Sequence, residues 1–400
     1  MRFPEFTGEW KRIKVSDLLD FYSTNSLSWE QLEYEPNEPY NLHYGLIHVG
    51  LPTLIDMTKD KLPSIKDGNV PKKYELCKEG DIAFADASED TNEVAKVVEF
   101  YDLDGKKVLC GLHTIHGRNS NGLTAKGFLG YCFSSTVFHN QIRRIAQGTK
   151  IYSISTRNFS EIFVGLPSRN EQQKIATLLR LIDERIATQN KIIEKQETLI
   201  KGIVDFIFTA NKFPKVPFKE IYIRAGEGGT PATSNPEYYD NGTVPFIKID
   251  DLENKYIKSN KDCITELGLQ KSSAWIVPSN SIIYSNGATI GAISINLFPV
   301  CTKQGILGVV PKANINVEFL YYFMTSAVFA KAVERIVTEG IMRTAYLKDI
   351  NHILCRVPCS TQQDEIAKLL STLSAKLENE VIFQMKLQKQ KEFLLSQMFI

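Results

Sequence analysis

The stretch PSRNEQQKIATLL at residues 167–179 returns as PCSTQQDEIAKLL at residues 358–370, an offset of 191 positions. In both copies a proline follows an apolar run, and polar side chains precede the first apolar turn, which is typical of a helix start. The chain is therefore predicted to be an internal tandem repeat. Aligning 166–208 with 357–399 needs no gap and gives eight identities: Pro167/Pro358, Gln172/Gln363, Ile175/Ile366, Ala176/Ala367, Leu178/Leu369, Leu179/Leu370, Lys195/Lys386 and Phe208/Phe399.

In both copies, mainly apolar residues then recur at spacings that alternate between four and three, which is the a/d pattern of a coiled coil. We call these positions, which would face a partner helix, the seam. A helix of about 39 residues is roughly 58 Å long and needs a partner along its length. We predict that the two helices pack antiparallel; the alternative is that each packs separately on its own domain. The predicted apolar seam residues are Ile175, Leu179, Ile182, Ile186, Ile193, Ile200, Ile203, Ile366, Leu370, Leu373, Leu377, Leu387 and Leu394.

Four hundred residues are too many for one compact core, so two or three domains are expected. Outside the two helix copies, glycine-punctuated apolar runs predict short strands. We predict an α+β fold and a pseudo-twofold tandem repeat, with two strand-rich domains separated by two long antiparallel helices that form a coiled coil. The predicted segments are an N-terminal domain at 1–165, a central helix at 166–208, a linker at 209–217, a C-terminal domain at 218–357 and a C-terminal helix at 358–400.

The composition is that of an ordinary globular protein, with 43% hydrophobic and 23% charged residues. The first residues, MRFPEFTGEWKR, lack the apolar core of a signal peptide. No stretch approaches the roughly 18 apolar residues of a membrane helix. We therefore expect a cytoplasmic protein.

Seven cysteines form an odd set without any CxxC pair, which favours reduced thiols over a disulfide framework or a zinc site. His113 and His116 form an HxxH pattern, but no second pair of ligands lies nearby in the sequence. We predict no metal site.

The net charge of +1 does not by itself indicate a nucleic-acid binder, but binding depends on where the charges lie. Residues 141–160 contain Arg143, Arg144, Lys150 and Arg157 and no acidic residue. A second basic stretch at 212–224 contains one acid. Either stretch could be a solvated face, yet two such stretches at the domain edges favour contacts with phosphates.

Several motifs together resemble the specificity subunit of a type I restriction–modification system. The resemblance covers nearly the whole chain, and the duplicated helix start combined with GGTP and NPEYY is its most specific part. The motifs are RFPEFTGEWKRIKVSDL (2–18), GDIAFADASED (80–90), GLHTIHGR (111–118), GEGGTPATSNPEYYDNGTVPFIKIDDL (226–252), SNGATIG (285–291) and both helix starts.

The resemblance implies two target recognition domains, each reading one half of a split sequence in double-stranded DNA, with the long helices as a molecular ruler between them. It also implies that the helices dock two methyltransferase subunits and that restriction/translocase subunits join the full complex. S-adenosylmethionine is then expected on the methyltransferase partners, and no cofactor on this chain. The middle parts of the two domains share too little sequence for residue-by-residue alignment.

Candidate DNA-binding residues are polar and aromatic groups on glycine-rich loops, where the backbone can approach DNA, together with the basic stretch of the first domain. In the second domain they are Thr230, Ser234, Asn235, Tyr238, Tyr239, Lys248, Asn286 and Lys303. In the first domain His113, His116, Arg118 and Asn119 are candidates for base contacts, and Arg143, Arg144, Lys150 and Arg157 for phosphate contacts.

An enzymatic function is disfavoured, because no nucleotide-binding glycine motif follows a strand. In the NEPY sequence at 37–40, Glu38 replaces the first proline of the N/D-P-P-Y loop of amino-methyltransferases. The acids at 81–90 lack a lysine at nuclease spacing. We predict a non-catalytic subunit. A tandem DNA-binding or scaffold protein without a methylation partner is the alternative, because it would need the same domains and helices.

Overall fold

The computed structural model describes residues 1–148, 150–210, 212–287, 289–338 and 343–400. These residues form two compact units, of which unit 1 comprises 1–191 and 382–400, and unit 2 comprises 192–381. Each long helix contributes one part to each unit. The predicted segment boundaries follow the sequence repeat, whereas the units divide both long helices near their middles.

Unit 1 contains thirteen strands among the described residues, together with five short helices and the start of the first long helix. The strands are β1 (Lys11–Lys14), β2 (Asp20–Tyr22), β3 (Leu32–Glu33), β4 (Tyr40–Leu42), β5 (Leu54–Asp56), β6 (Ser64–Ile65), β7 (Ile82–Ala85), β8 (Ala87–Ser88), β9 (Val97–Asp102), β10 (Val108–Cys110), β11 (Thr114–Arg118), β12 (Tyr152–Ser153) and β13 (Phe163–Leu166). The helices are α1 (Val15–Leu18), α2 (Tyr44–His48), α3 (Phe128–Phe133), α4 (Thr136–Ile145), α5 (Thr156–Ser160) and the 42-residue α6 (Arg169–Ala210).

Two sheets form the centre of unit 1. The main sheet has the order β2-β11-β7-β9-β5, in which all neighbours are antiparallel except the parallel pair β9 and β5. The second sheet has the order β10-β4-β6-β3, with β10 parallel to β4. Strand β1 pairs antiparallel with β13, which leads into α6.

Unit 2 contains ten strands among its described residues. They are β14 (Lys215–Pro217), β15 (Tyr222–Glu227), β16 (Val244–Ile247), β17 (Tyr256–Ile257), β18 (Asp262–Ile264), β19 (Ile282–Ser285), β20 (Ile293–Asn296), β21 (Cys301–Thr302), β22 (Ile306–Pro311) and β23 (Leu354–Arg356). The helices are α7 (Glu266–Gln270), α8 (Val317–Thr325), α9 (Ala327–Glu334), α10 (Leu347–Ile350) and the 38-residue α11 (Ser360–Gln397), whose last part belongs to unit 1.

The main sheet of unit 2 repeats the topology of the main sheet of unit 1. Its order is β15-β22-β19-β20-β17, and again only the last pair is parallel. The second sheet, β18-β16-β21, likewise has one parallel pair, between β16 and β21. The two domains therefore share one fold, although their middle parts cannot be aligned by sequence.

A buried glutamine anchors each long helix to its domain. The Gln172 Oε1 atom accepts a hydrogen bond from Ala125 N at 2.8 Å, and its Nε2 atom donates to Leu123 O and Pro167 O. The Gln363 side chain makes the same three bonds, to Asn316 N, Asn314 O and Pro358 O, and each partner lies 191 positions later. The repeated helix start is thus a repeated joint between helix and domain.

The duplication extends further upstream than the sequence analysis recognised. At the same offset of 191, residues 128–138 share six identities with 319–329: Phe128/Phe319, Leu129/Leu320, Tyr131/Tyr322, Ser135/Ser326, Val137/Val328 and Phe138/Phe329. Ser135 caps α4 by accepting from Phe138 N, and Ser326 caps α9 by accepting from Phe329 N. This repeated helix pair packs between the sheet and the long helix in each unit.

A tyrosine in each helix pair also reaches the long helix. The Tyr131 hydroxyl donates to Asp183 Oδ2 at 2.9 Å, and the Tyr322 hydroxyl lies 2.9 Å from Ser374 Oγ at the corresponding position. In unit 1, Lys391 of α11 completes the contact through an ion pair with Asp183 at 2.6 Å. The same scaffold contact thus uses a carboxylate in one copy and a hydroxyl in the other.

Within each unit the two long helices run antiparallel. In unit 1, Ile175 and Leu179 near the start of α6 share a core with Leu394 near the end of α11. In unit 2, Phe208 near the end of α6 shares a core with Leu370 near the start of α11. All thirteen predicted seam residues are buried or half-buried. The helix segments pack on each other and on their domain cores together, and the predicted fold class is confirmed. Among the described residues, no helix combines the length and apolar character needed to cross a membrane.

Candidate nucleic-acid interface

Three of the predicted DNA-binding residues line one cleft in unit 2. Thr230 follows β15, Lys248 follows β16 and Lys303 follows β21, so the three residues come from three different strand ends. The cleft has a volume of about 800 Å³, and its walls also include Thr338, Thr344 and Tyr346. The fold thus brings together three predicted side chains, Thr230, Lys248 and Lys303, that span 73 positions of the sequence.

The paired glycines of GEGGTP allow the end of β15 to lie against the end of β21. A Cβ atom at Gly228 would lie 2.0 Å from Thr302 O, and one at Gly229 would lie 2.3 Å from Ser273 Oγ. Only glycine fits at such close approaches. The next residue, Thr230, is thereby held at the cleft, where its hydroxyl accepts a hydrogen bond from Gln304 N.

The cleft offers both hydrogen-bond donors and acceptors. Lys303 is exposed, while Lys248 forms an ion pair of 2.8 Å with Asp262. Glu227 and Asp250 also line the cleft, and Glu227 accepts a hydrogen bond from Gly305 N. Two lysines and two carboxylates give a mixed surface, which suits base edges with their alternating donors and acceptors better than phosphate alone.

The other predicted residues of unit 2 do not line this cleft. Asn286 is buried behind it and donates from Nδ2 to Ala345 O. The Asn235 side chain accepts from Glu237 N, while the Tyr239 hydroxyl donates to Pro231 O. Ser234 is exposed and Tyr238 half-buried on the same segment. Their contacts stabilise the turn at Pro236–Tyr238, and their contact with DNA stays a prediction.

At the corresponding loops of unit 1 the structure places a cluster of rings. His43 follows β4 as Lys248 follows β16, and His113 lies in the loop after β10 as Lys303 lies after β21. The Tyr44 ring joins them, with centroids 4.7 Å from His43 and 5.2 Å from His113. Trp29, which is half exposed, lies 4.4 Å from His43. We call Trp29, His43, Tyr44 and His113 the ring cluster.

The surroundings of His43 disfavour a positive charge on its ring. Burial and the neighbouring His113 lower the pKa of His43, whose Nδ1 atom accepts from Gly45 N. His113 lies 3.2 Å from the Asp86 carboxylate. The cluster therefore offers ring faces for stacking and few phosphate contacts. The sequence analysis selected only His113; the run of histidines and tyrosine in NLHYGLIHVG (41–50) was the available signal for the others.

His116, Arg118 and Asn119 lie along or beyond β11, away from the ring cluster. The His116 ring is buried and donates from Nε2 to Asp81 Oδ2 at 2.7 Å, and the same carboxylate also accepts two bonds from Arg118. Burial raises the pKa of Asp81, but the bonds from His116 and Arg118 outweigh burial and hold that pKa below its usual range. Arg118 also pairs with Glu75. This network connects the strands of unit 1, so His116 would reach DNA only if β11 moved. The Asn119 side chain donates to Thr124 Oγ1.

The basic residues of 141–160 are exposed on the surface of unit 1. Arg143 donates to Asn92 Oδ1 at 2.9 Å and to Asn140, whereas Arg144, Lys150 and Arg157 form no ion pair with a carboxylate of the described residues. Lys150 lies between Gln147 and Ser153, whose backbones pair. Thr338 and Thr344, each 191 positions later, pair in the same way and line the unit 2 cleft.

The two units define a tandem protein in which one repeated scaffold carries two different polar surfaces. A family model described as "Type I restriction modification DNA specificity domain" matches residues 111–198 and 215–386, well over half of the chain. The chain therefore belongs to this family.

Two curated relatives come from Methanocaldococcus jannaschii. The type I restriction enzyme MjaIX specificity subunit is 30% identical over 159 residues, which are 38% of this chain and 36% of that protein. The chain thus matches about a third of the length of that relative. The putative type I restriction enzyme MjaX specificity subunit is 24% identical over 395 residues, covering 94% of this chain and 89% of that protein.

Solved structures with the same fold extend over nearly the whole chain. The S subunit of the type I restriction–modification system from M. genitalium is 18% identical with a TM-score of 0.58, covering 100% of this chain and 97% of that chain. A chain in a structure on complex assembly and conformational transition of the type I R-M system is 14% identical with a TM-score of 0.63, covering 98% of each chain. At these identities the likeness concerns the fold.

Proposed function

We propose that this chain is the specificity subunit of a type I restriction–modification system, and that it recognises a DNA target in two parts. Unit 2 reads one half-site with the cleft around Lys248 and Lys303, and unit 1 reads the other with the ring cluster. The chain catalyses no reaction itself. It selects the DNA on which its partner subunits act.

One observation carries this proposal: the scaffold is repeated while the loop residues differ. Gln172 and Gln363 make the same three bonds at an offset of 191, and both main sheets have the same strand order. At the equivalent loop ends, however, His43 stands where Lys248 stands in the other copy. A protein that reads two unlike half-sites from one framework needs this combination.

The long helices supply the spacing and the partner surfaces in this proposal. Two identical methyltransferase subunits need two equivalent docking surfaces, and two long helices that belong to one repeated scaffold provide them. Exposed apolar residues on the long helices, such as Leu181, Phe206, Leu369 and Phe393, are available for this docking. The partners bring S-adenosylmethionine, and restriction/translocase subunits complete the assembly.

The alternative is a tandem DNA-binding protein without a methylation partner. Purification of the chain coexpressed with candidate type I methyltransferase subunits of its source organism distinguishes the two, because only a specificity subunit forms a complex with two methyltransferase copies. A chain that elutes alone under those conditions favours the alternative.

The experiment that tests two-part recognition is a domain exchange. Replacing residues 1–165 with the same segment of a relative of different specificity is expected to change one half-site and to leave the other half-site and the gap unchanged. The helices remain native, which preserves the spacing. Sequencing of methylated DNA from cells that express the hybrid system reads out both half-sites. A simultaneous change in both halves would contradict the two-domain assignment.

Arg144→Ala and Lys150→Ala are each expected to weaken binding to cognate and unrelated DNA by a similar factor. Each substitution should reduce the slope of log affinity against log salt by about one, as expected for one lost phosphate contact. Fluorescence anisotropy over a range of salt concentrations measures this slope on the complex with the methyltransferase. Lys61→Ala is the control, because Lys61 is also exposed in unit 1 but lies outside the basic stretch. A change in base preference at constant slope would instead place the residue at a base edge.

A further inference from the structure

Two cysteines and a histidine converge in the interior of unit 1. The Sγ atoms of Cys77 and Cys110 are 3.6 Å apart, and a ring nitrogen of His116 lies within 4.8 Å of both. All three residues are buried. Within the part of the chain that the structure describes, this is the one group of three or more metal-ligating side chains at such distances.

The hydrogen bonds around His116 leave one nitrogen available. Its Nε2 atom lies 2.7 Å from Asp81 Oδ2, and Arg118 donates two bonds to the same carboxylate. An ionised Asp81 selects the tautomer with hydrogen on Nε2. The Nδ1 atom then carries a lone pair, and it is buried without a hydrogen-bond partner among the described residues. A carboxylate that orients a histidine in this way is the usual second partner of a metal-bound imidazole.

Unit 2 shows that the fold does not require this cluster. Cys77 N bonds to Val108 O, and at the equivalent place Val277 N bonds to Val300 O. Strands β7 and β19 occupy the same place in the two main sheets. His116 pairs with Ala83, the second residue of β7, and Gly308 pairs with Ile283, the second residue of β19. His116 and Gly308 are therefore equivalent. The side chains of Val277 and Trp275 pack over Gly308. The Val277 and Trp275 side chains thus fill in one copy the space that Cys77 and His116 fill in the other, and Thr302 stands where Cys110 stands.

We propose that Cys77, Cys110 and His116 bind a zinc ion. Zinc binds thiolate at about 2.3 Å in tetrahedral geometry, which separates two sulfurs by about 3.8 Å, close to the distance observed here. Two thiolates neutralise the charge of Zn²⁺, and the imidazole is neutral. The nearby Asp81 and Arg118 already neutralise each other. The occupied site is therefore electrically balanced, as a buried ion requires.

The ion would join strands of the two sheets. Cys110 ends β10 of the second sheet, His116 lies on β11 of the main sheet, and Cys77 bonds to β10. Three protein ligands leave the fourth tetrahedral position for water. Such a joint stabilises unit 1 behind the loop that carries His113. The sequence analysis predicted no metal site because Cys77 and Cys110 are 33 positions apart and form no short motif.

The test uses the full chain, reduced and freed of metal by a chelator, and titrated with Zn²⁺ or Co²⁺ alone. We expect one ion per chain, sulfur-to-cobalt charge-transfer absorption with tetrahedral cobalt bands, and a rise in the melting temperature on adding Zn²⁺. Cys77→Ala and Cys110→Ala are each expected to weaken binding by at least about 100-fold, beyond the 10–100-fold typical of an outer-shell change.

Cys132→Ala is the matched control, since Cys132 is a buried cysteine of unit 1 outside the cluster, and it should retain full binding. The cobalt spectrum of the unsubstituted chain tests the proposal even if a cysteine variant fails to fold. Absence of a thiolate–cobalt band in the reduced chain would overturn it. So would equal loss of binding in the control variant, which would place the ion elsewhere.

Discussion

Gln172→Leu is expected to lower the free energy of unfolding of unit 1 by about 3 kcal/mol. The side chain satisfies Ala125 N, Leu123 O and Pro167 O, and it is buried. Leucine fills a similar volume but bonds to none of these groups, and each buried unsatisfied polar group costs about 1–3 kcal/mol. Part of that cost is offset, because the unpaired backbone groups can shift to bond to water and because leucine adds apolar contacts.

Gln363→Leu should destabilise unit 2 by a similar amount, because its three hydrogen bonds are equivalent. Hydrogen exchange followed by mass spectrometry measures the two effects separately, since each variant should accelerate exchange chiefly in its own unit. Fast exchange is expected in the segments that the glutamine holds, before α3 in unit 1 and before α8 in unit 2.

The adjacent glutamines provide matched controls. Gln173 and Gln362 are exposed on the same helix turns, and Gln173→Leu and Gln362→Leu should change stability by less than about 0.5 kcal/mol. If the exposed and the buried substitutions had the same effect, the joint between helix and domain would not depend on these bonds. The duplicated motif would then owe its persistence to partner docking alone.

Adding one heptad to each long helix is expected to change the preferred gap between the half-sites. Insertion after Gln189 and after Glu380 lies within two residues of the boundary between the units on both helices. Seven residues keep the seam in phase and lengthen each helix by about 10 Å. At about 3.4 Å per base pair this corresponds to about three base pairs, which also turn the second half-site by roughly 100°.

The lengthened protein should bind the natural site at least about 100-fold more weakly, because a displaced half-site costs more than the 1–3 kcal/mol of a single mismatch. Selection from a DNA library with fixed half-sites and a varied gap should recover longer gaps with the same bases at each end. Recovery of the original gap by a folded variant that still binds the methyltransferase would show that the helices do not set the spacing.

Several residues of the candidate site could be predicted one by one from the sequence, but the sequence did not show which of them lie together. Glycine-rich loops pointed to Thr230, Lys248 and Lys303, and the fold gathers these three into one cleft. His113 and His116 looked alike in the sequence, yet His113 lies in the loop before β11 and His116 lies on that strand. Side chains two apart on a strand share a face, which places His116 with Arg118 in the interior.

The sequence by itself determined the two long helices, their seam, their starts and the existence of a repeat. Periodicity and helix capping involve residues that are close together in the sequence, and the repeat is found by comparing the sequence with itself at a fixed offset. Helix hydrogen bonds join residues four apart, so a stretch such as 167–179 contains the information that makes it helical.

Only the tertiary structure decided that the two diverged domains share one sheet topology, and which side chains meet. Strand pairing joins distant residues, such as Asp20 with Arg118, and many sequences satisfy the same pairing. The ring cluster, the unit 2 cleft and the Cys77–Cys110–His116 group each combine residues that lie on or next to separate strands. These residues lie close together because backbone hydrogen bonds pair the strands. Such pairing produces no repeating sequence pattern from which the partner strand could be predicted.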